Sequence, residues 1–180
     1  MQDLWLLKHH ETAEALGGVA DPIQSQASAV RAWRALDGAM RYLYASGSML
    51  PSGAIAGFQE DWLRLSCVQE LAGASAGHIA MNHYVVETDV LPEFEEDLNA
   101  WYAQEHLPGL ASVPGTVRAA RYVDATGSPK YYACYDLVSA DILGSPAWLA
   151  VRATPWSSRV RPAFRNTRRT MFDKAPFGSR

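Results

Sequence analysis

Two segments of the chain resemble each other, and this internal repeat restricts the fold more than any other feature. The first segment reads AVRAWRALDG at residues 29–38, and the second reads TVRAARYVDA at residues 116–125. Each is followed by a run rich in aromatic residues, MRYLYA at residues 40–45 and KYYACYD at residues 130–136. Two β-forming runs separated by a turn are typical of a β-hairpin. The repeat therefore predicts two equivalent hairpins in a duplicated chain.

The second copy lies within a predicted β-α-β-β-α-β order. Residues 78–88 are rich in β-forming residues, and Pro92 follows where it can occupy the first turn of a helix. Leu98 and Trp101 continue a buried helical stripe, and Pro108 with the next glycine is expected to end this helix near residue 107. The remaining predicted elements are the two hairpin strands, a helix over residues 146–153 and a last strand near residues 168–174.

This order predicts a ferredoxin-like unit, which has an antiparallel sheet with both helices on one face. The uncovered face of such a sheet needs a partner, and the repeat supplies one in the same chain. We therefore expect an α+β fold in which tandem ferredoxin-like β-α-β-β-α-β repeats form an α/β barrel with antiparallel sheets face to face. Residues 1–75 would form a degenerate half and residues 76–180 a complete half. A homodimer is compatible with this arrangement but not required.

The first half is predicted to be irregular. Residues 4–8 would form its opening strand, and only residues 11–16 look helical before glycines and a proline interrupt the pattern. A second helix is expected over residues 53–71, because Phe58, Trp62 and Leu65 have the spacing of a buried stripe. We expect the first half to have lost or remodelled its own site.

Composition excludes several classes of function. The net charge of -3 argues against nucleic acid as a partner, and there is no apolar run of the roughly 20 residues that a membrane span needs. Cys67 and Cys134 have neither metal-ligand nor disulfide spacing, and no glycine-rich phosphate loop occurs. Because no signal peptide is recognisable, we expect a cytoplasmic protein. Because the common metal and cofactor motifs are absent, we expect neither a metal nor a cofactor.

The C-terminal region is basic. Its cations are either a solvated face or include an arginine or two turned inward to hold a substrate carboxylate or phenolate. They are Arg152, Arg159, Arg161, Arg165, Arg168, Arg169, Lys174 and Arg180.

A family resemblance covers residues 79–172. The run LNAWYAQEHLPGL at residues 98–110, with VPG at residues 113–115 and the hairpin that follows, resembles the EthD-like branch of the dimeric α/β-barrel superfamily. Members of that branch include decarboxylases, cyclases, dehydratases, lactone isomerases and oxygenases, so the resemblance does not settle the reaction. It places the family's characteristic histidine at His106, whereas the first half lacks the signature.

The expected catalytic residues are His106, Glu105 and Tyr102. At a helix end, the partial negative charge of the carbonyls would raise the pKa of His106, which could act as a general acid or base. The alternative is a histidine that only caps those carbonyls. Glu105 would orient His106 or form an outward salt bridge, and Tyr102 lies on the same helical stripe.

The expected substrate-binding residues come from the helix and from strand alternation. Ile79, Met81 and Val85 form the more apolar face of the opening strand and should meet the helices, so that the opposite face would look into the barrel. In the hairpin, Arg118 with Tyr132 and Arg121 with Tyr135 remain candidates, and any of these side chains could instead only seal the barrel end. All the expected substrate-binding residues are Asn82, Tyr84, Trp101, Arg118, Arg121, Tyr132 and Tyr135.

These residues suit a small, flat organic ligand. We expect a cofactor-independent enzyme of aromatic catabolism that acts on a small aromatic or polyketide-like compound by general acid/base chemistry, as a lyase, decarboxylase, isomerase or dehydratase. One alternative is a haem-dependent or cofactor-free oxygenase with His106 as axial ligand or base. Another is a non-catalytic small-molecule-binding accessory protein.

Overall fold

Antiparallel strands close into a barrel, which organises the rest of the structure. The structure is a computed structural model that describes residues 3–10, 30–38, 40–46 and 62–175. In these residues the barrel has eight strands in the order β1-β3-β2-β8-β5-β7-β6-β4. The strands are β1 (Leu4–His10), β2 (Val30–Ala35), β3 (Met40–Ser46), β4 (Trp62–Ala72), β5 (Asn82–Val90), β6 (Thr116–Val123), β7 (Tyr131–Leu137) and β8 (Phe164–Lys174).

The strand order divides into two equal series, β4-β1-β3-β2 and β8-β5-β7-β6. Each has the arrangement of a ferredoxin-like sheet, and the pairs β2–β8 and β4–β6 join the two into a closed barrel. The two repeated segments form the hairpins β2–β3 and β6–β7, which occupy the same place in each series. The predicted α+β fold with tandem ferredoxin-like repeats is confirmed. The division at residue 75 stays a prediction.

The described helices pack on the outer face of the second sheet. They are α1 (Glu95–Trp101), α2 (Leu107–Ala111), α3 (Pro146–Arg152) and α4 (Pro155–Val160). The side chains of Ser145 and Thr154 accept hydrogen bonds from backbone N–H groups in the first turns of α3 and α4, which defines where these helices begin. None of the helices in the described ranges has the length and apolar character to span a membrane.

The expected helix over residues 53–71 is wrong in its described part. From Trp62 onwards the chain forms strand β4, which pairs with β1 on one side and β6 on the other. Leu63, Leu65 and Cys67 alternate with polar residues at the period of a strand, and the two neighbouring strands satisfy the backbone hydrogen bonds. The rest of that segment, including Phe58, and the expected helix over residues 11–16 lie outside the described residues.

The predicted orientation of the opening strand is also wrong. Ile79 and Met81 precede β5 and are exposed, at 69% and 54% of their surface. Val85 faces the barrel interior, whereas Tyr84 packs against the helices. The prediction relied on the apolar character of two residues that are outside the strand.

Polar side chains inside the barrel connect the two sheets. Asp136 on β7 accepts hydrogen bonds from His83 Nδ1 (2.6 Å), Arg118 Nε (2.8 Å) and Arg31 Nη1 (2.9 Å). Burial alone would raise the pKa of Asp136, but His83 and the two guanidinium groups hold it well below its ordinary value. The two arginines are equivalent members of the repeated Val-Arg-Ala motifs, so both hairpins contribute a cation to one carboxylate.

A second interior cluster repeats this arrangement. Lys8 on β1 donates to the carboxylate of Glu87 (2.8 Å) and to the hydroxyl of Tyr132 (3.1 Å). Tyr42 on β3 also donates to Glu87. Again, residues of the first sheet bind residues of the second.

Replacing Asp136 with alanine tests the importance of the first cluster. The variant leaves two guanidinium groups beside an empty, largely buried position, so we expect the free energy of unfolding to fall by about 3–5 kcal/mol. Asp97→Ala is the control, because it removes the partner of Arg159 from an exposed ion pair that solvent screens. Urea unfolding followed by circular dichroism measures both, and equal losses would contradict the structural role of Asp136.

Candidate functional site

A π-helical turn positions His106. Helix α1 continues into a π turn, Tyr102–His106, in which the N–H of Leu107 donates to the carbonyl of Tyr102, and then into α2. Turns of this kind occur frequently at functional sites. The wider turn places the buried rings of Tyr102 and His106 edge to face, with centroids 5.3 Å apart.

The helix does not end at Pro108 as the sequence predicted. It continues to Ala111, with Pro108 in the first turn of α2, where a missing N–H is tolerated. The glycine that follows serves close packing: a Cβ at Gly109 would lie 2.8 Å from Cγ1 of Val151 on α3. The Pro-Gly pair therefore brings α3 close to α2.

His106 is a buried, neutral imidazole. Its exposed fraction is 7%, and its ring stacks on Trp101 with centroids 4.0 Å apart. Its Nδ1 atom is buried and forms no hydrogen bond in the described part of the chain. Burial, and then the charges of Arg161 and Arg152, lower the pKa of His106 to about 3. The expectation of a raised pKa is wrong, because His106 is buried, lies near two cations and is not at the end of a helix.

His106 faces a cavity between the outer face of the second sheet and its helices, rather than the barrel interior. The open volume is about 30 Å³, which is room for one or two water-sized molecules. The lining consists of aromatic and aliphatic side chains with arginines: Tyr84, Val86, Trp101, Tyr102, His106, Leu110, Tyr135, Trp148, Arg152, Arg161, Phe164 and Arg169. The hydroxyl of Tyr135 is a second buried polar group with no hydrogen bond within the described ranges.

Three arginines from different elements line this cavity. Arg152 is in the last turn of α3, Arg161 directly follows α4, and Arg169 is on β8. Among the described residues, none of the three side chains forms an ion pair or a hydrogen bond. Burial, and then the charges of Arg152 and Arg169, lower the pKa of Arg161. The cavity is therefore at positive electrostatic potential.

The described structure contains no hydrogen bond between the side chain of Glu105 and His106. Its carboxylate accepts hydrogen bonds from Trp101 Nε1 (3.2 Å) and from the hydroxyl of Thr154 (2.6 Å), the residue that caps α4. Glu105 thus holds the indole on which His106 stacks and ties α1 to α4. Its part in the site is to position Trp101.

The remaining predicted residues are divided between four places. Tyr84, Trp101, Tyr102 and Tyr135 line the cavity with His106, and Tyr84 and Tyr135 are opposite each other on β5 and β7. Arg121 lies behind Tyr102, with its guanidinium 4.5 Å from the ring centroids of both Tyr102 and Tyr131.

The other three are away from His106. Arg118 and Tyr132 are inside the barrel, in the two ionic clusters. Asn82 does not look into the barrel as predicted, since its amide donates to Asp173 (2.7 Å) and to the carbonyl of Phe172 (3.2 Å).

The sequence did not single out seven further residues of the site. They are Val86, Leu110, Trp148, Arg152, Arg161, Phe164 and Arg169. The three arginines are recognisable in the sequence only as part of the basic C-terminal region, for which an inward arginine is one of two interpretations. The spacing of the basic residues could not show which of them converge.

Comparisons with known proteins support the fold but name no family. No protein-family model matches the sequence, and no curated protein matches it significantly. Solved structures do match. A monooxygenase-like protein from Listeria innocua aligns with a TM-score of 0.62 and 11% identity over 98% of this chain and 96% of that chain.

Two further matches come from Listeria monocytogenes. A ferredoxin fold protein related to antibiotic biosynthesis monooxygenases has a TM-score of 0.57 and 13% identity over 98% of this chain and 97% of that chain. A heme-degrading enzyme has a TM-score of 0.58 and 10% identity over 95% of this chain and 99% of that chain. The chain thus shares the ferredoxin-like fold of these proteins.

The expected reaction class requires correction. We expected acid/base chemistry of the lyase, decarboxylase, isomerase or dehydratase type. Structural neighbours are named instead as monooxygenase-like and heme-degrading proteins. The first interpretation is therefore not retained.

The low pKa of His106 predicts a specific pH dependence of stability. Below the unfolded-state pKa of about 6.5, the unfolded chain binds a proton that folded His106 does not bind until about pH 3. Wild-type stability should therefore fall between pH 6.5 and 3, relative to His106→Phe, by up to about 1.4 kcal/mol per pH unit. Unfolding in urea at several pH values measures this difference. The control His78→Phe, which replaces an exposed histidine, should show the same pH dependence as the wild type. If the stability of His106→Phe falls with pH as steeply as that of the wild type, the prediction is contradicted.

Proposed function

We propose that the protein is an oxygenase-type enzyme that oxidises a small, electron-rich aromatic compound with O₂ in the His106 cavity. The observation that carries this proposal is the neutral imidazole of His106, whose Nδ1 has no hydrogen-bond partner among the described residues, beside aromatic rings and three arginines that form no ion pair in the same part of the chain. The fold similarity to proteins named as monooxygenase-like supports it. The presence of Trp101 and His106 at one wall of the cavity, with Glu105 hydrogen-bonded to Trp101, also supports the finer assignment to the EthD-like branch.

The arrangement favours proton removal from a weakly acidic substrate. A neutral imidazole accepts a proton, and nearby guanidinium groups stabilise the substrate anion that results. That anion in turn raises the proton affinity of His106, because it compensates the charges that lower it. His106 would therefore act as a base only when a substrate occupies the cavity.

The aromatic walls suit the oxidation that follows. They exclude water, which protects a reactive anion. For a substrate with a reactive CH₂ group, one oxygen atom of O₂ enters as a carbonyl and the other leaves as water with the two hydrogens. No other reductant is needed for this balance.

Haem is the group that one structural neighbour suggests, and the described residues do not accommodate it. The unpartnered imidazole of His106 is a suitable ligand type. However, the open volume is about 30 Å³, whereas pockets for larger ligands measure about 300–1,000 Å³. A porphyrin would meet the buried rings of Tyr135 and Trp148, which line this cavity. We therefore assign no step to haem.

Oxygen uptake tests the proposal. Purified protein is screened in an oxygen electrode with phenols, hydroquinones and anthrone, and the products are identified by mass spectrometry. His106→Gln should lower kcat by about 100- to 10,000-fold, because it removes the positioned base. His78→Gln, which changes an exposed histidine, should leave kcat unchanged.

Two results would contradict the proposal. One is full oxygen uptake by His106→Gln on the same substrate. The other is a Soret band after addition of hemin that disappears in His106→Gln, which would make the site a haem site. A cytoplasmic location and a homodimer stay predictions from the sequence.

A further inference from the structure

We propose that the substrate carries a carboxylate, which Arg152, Arg161 and Arg169 bind at the His106 cavity. This inference rests on the proposed function for the identity of the site but not for the binding itself. It concerns the part of the substrate that does not react. The argument uses the ion pairing, position and surroundings of the three guanidinium groups.

The three arginines differ from four other cations of the chain, which form ion pairs in the described structure. Arg31 and Arg118 bind Asp136, Lys8 binds Glu87, and Arg159 binds Asp97. By contrast, the three arginines of the cavity have no carboxylate partner within the described ranges.

A solvated basic face does not explain the positions of Arg152 and Arg161. Both are only partly exposed, and both lie close enough to the buried His106 to lower its pKa. Arg169 is exposed, and it lines the same cavity from β8. Three like charges brought together from α3, the end of α4 and β8 repel one another. A bound anion would remove this repulsion.

The chemistry of the site favours a carboxylate on an aromatic ring. Guanidinium groups bind planar carboxylates through paired hydrogen bonds. The rest of the cavity consists mainly of rings, including Tyr84, Trp101 and Trp148, which suit an aromatic body. With its carboxylate at the arginines, such a ligand would direct its ring towards Trp101 and its reactive carbon towards His106.

This geometry also explains how a ring could enter a small cavity. The arginine side chains are long and have no partners within the described structure, so they can move apart at low energetic cost. An anionic ligand would compensate their repulsion while it displaces them. A neutral ligand of the same shape would displace them without that gain.

Paired acid and amide probes test the inference without any turnover. The probes are salicylate with salicylamide, and 4-hydroxyphenylacetate with 4-hydroxyphenylacetamide. Their binding is measured by isothermal titration calorimetry and by quenching of tryptophan fluorescence. The wild type should bind at least one acid about tenfold or more tightly than its amide, and added salt should weaken only the acid.

Substitutions assign the preference to the three arginines. Arg152→Gln, Arg161→Gln and Arg169→Gln should each weaken binding of the acid by about ten- to hundredfold and leave the amide unchanged. Arg168→Gln is the matched control, because it removes the same charge from the neighbouring residue of β8, which does not line the cavity. Its effect should stay below about twofold. Circular dichroism spectra and Tm values confirm that each variant is folded.

The outcomes separate this inference from the proposed function. Equal binding of acid and amide by the wild type throughout the panel would overturn the carboxylate site, as would equal effects of Arg161→Gln and Arg168→Gln. His106-dependent oxidation of a neutral phenol with no effect of Arg161→Gln would also overturn it, while the oxygenase proposal stands. Conversely, arginine-dependent binding of the acid without oxygen uptake would support the carboxylate site and contradict the oxygenase.

Discussion

The carboxylate of Asp136 is the point at which the two sheets are held in one arrangement. It accepts hydrogen bonds from His83 and Arg118 of the second sheet and from Arg31 of the first. A buried ion cluster of this kind contributes less to stability than its short distances suggest, because its charges must leave water. The cluster instead selects one strand register. A slip of either hairpin by one residue would turn an arginine away and leave the carboxylate without that partner.

The polar groups on the two sides of the second sheet differ in how well they are satisfied. Inside the barrel, His83 binds Asp136 and the hydroxyl of Tyr44, so neither ring nitrogen is left over. On the outer side, His106 Nδ1 and the Tyr135 hydroxyl are buried without hydrogen bonds in the described part of the protein. The interior groups therefore complete the structure, whereas the groups on the outer side are available to a ligand.

The sequence predicted the elements whose signals are local. The repeated Val-Arg-Ala motif located both hairpins, and alternation within them separated Arg118 from Arg121 correctly. The sequence could not show which face of β5 lies inside the barrel. His83 and Glu87 can be buried there only because Asp136 and Lys8, which are distant in sequence, bind them. The convergence of the arginines depends in the same way on how α3, α4 and β8 are placed.

The π turn could not be predicted from the sequence for a different reason. Helical spacing assumes 3.6 residues per turn, and the wider turn from Tyr102 to His106 departs from that period.

Covalent attachment of the two sheets has a consequence for how such irregularities arise. In a homodimer of single repeats, every mutation enters both sheets at once, so a change that helps a reaction on one side can weaken the contact on the other. In this chain each sheet is encoded separately, and a mutation near His106 leaves the first sheet unaltered.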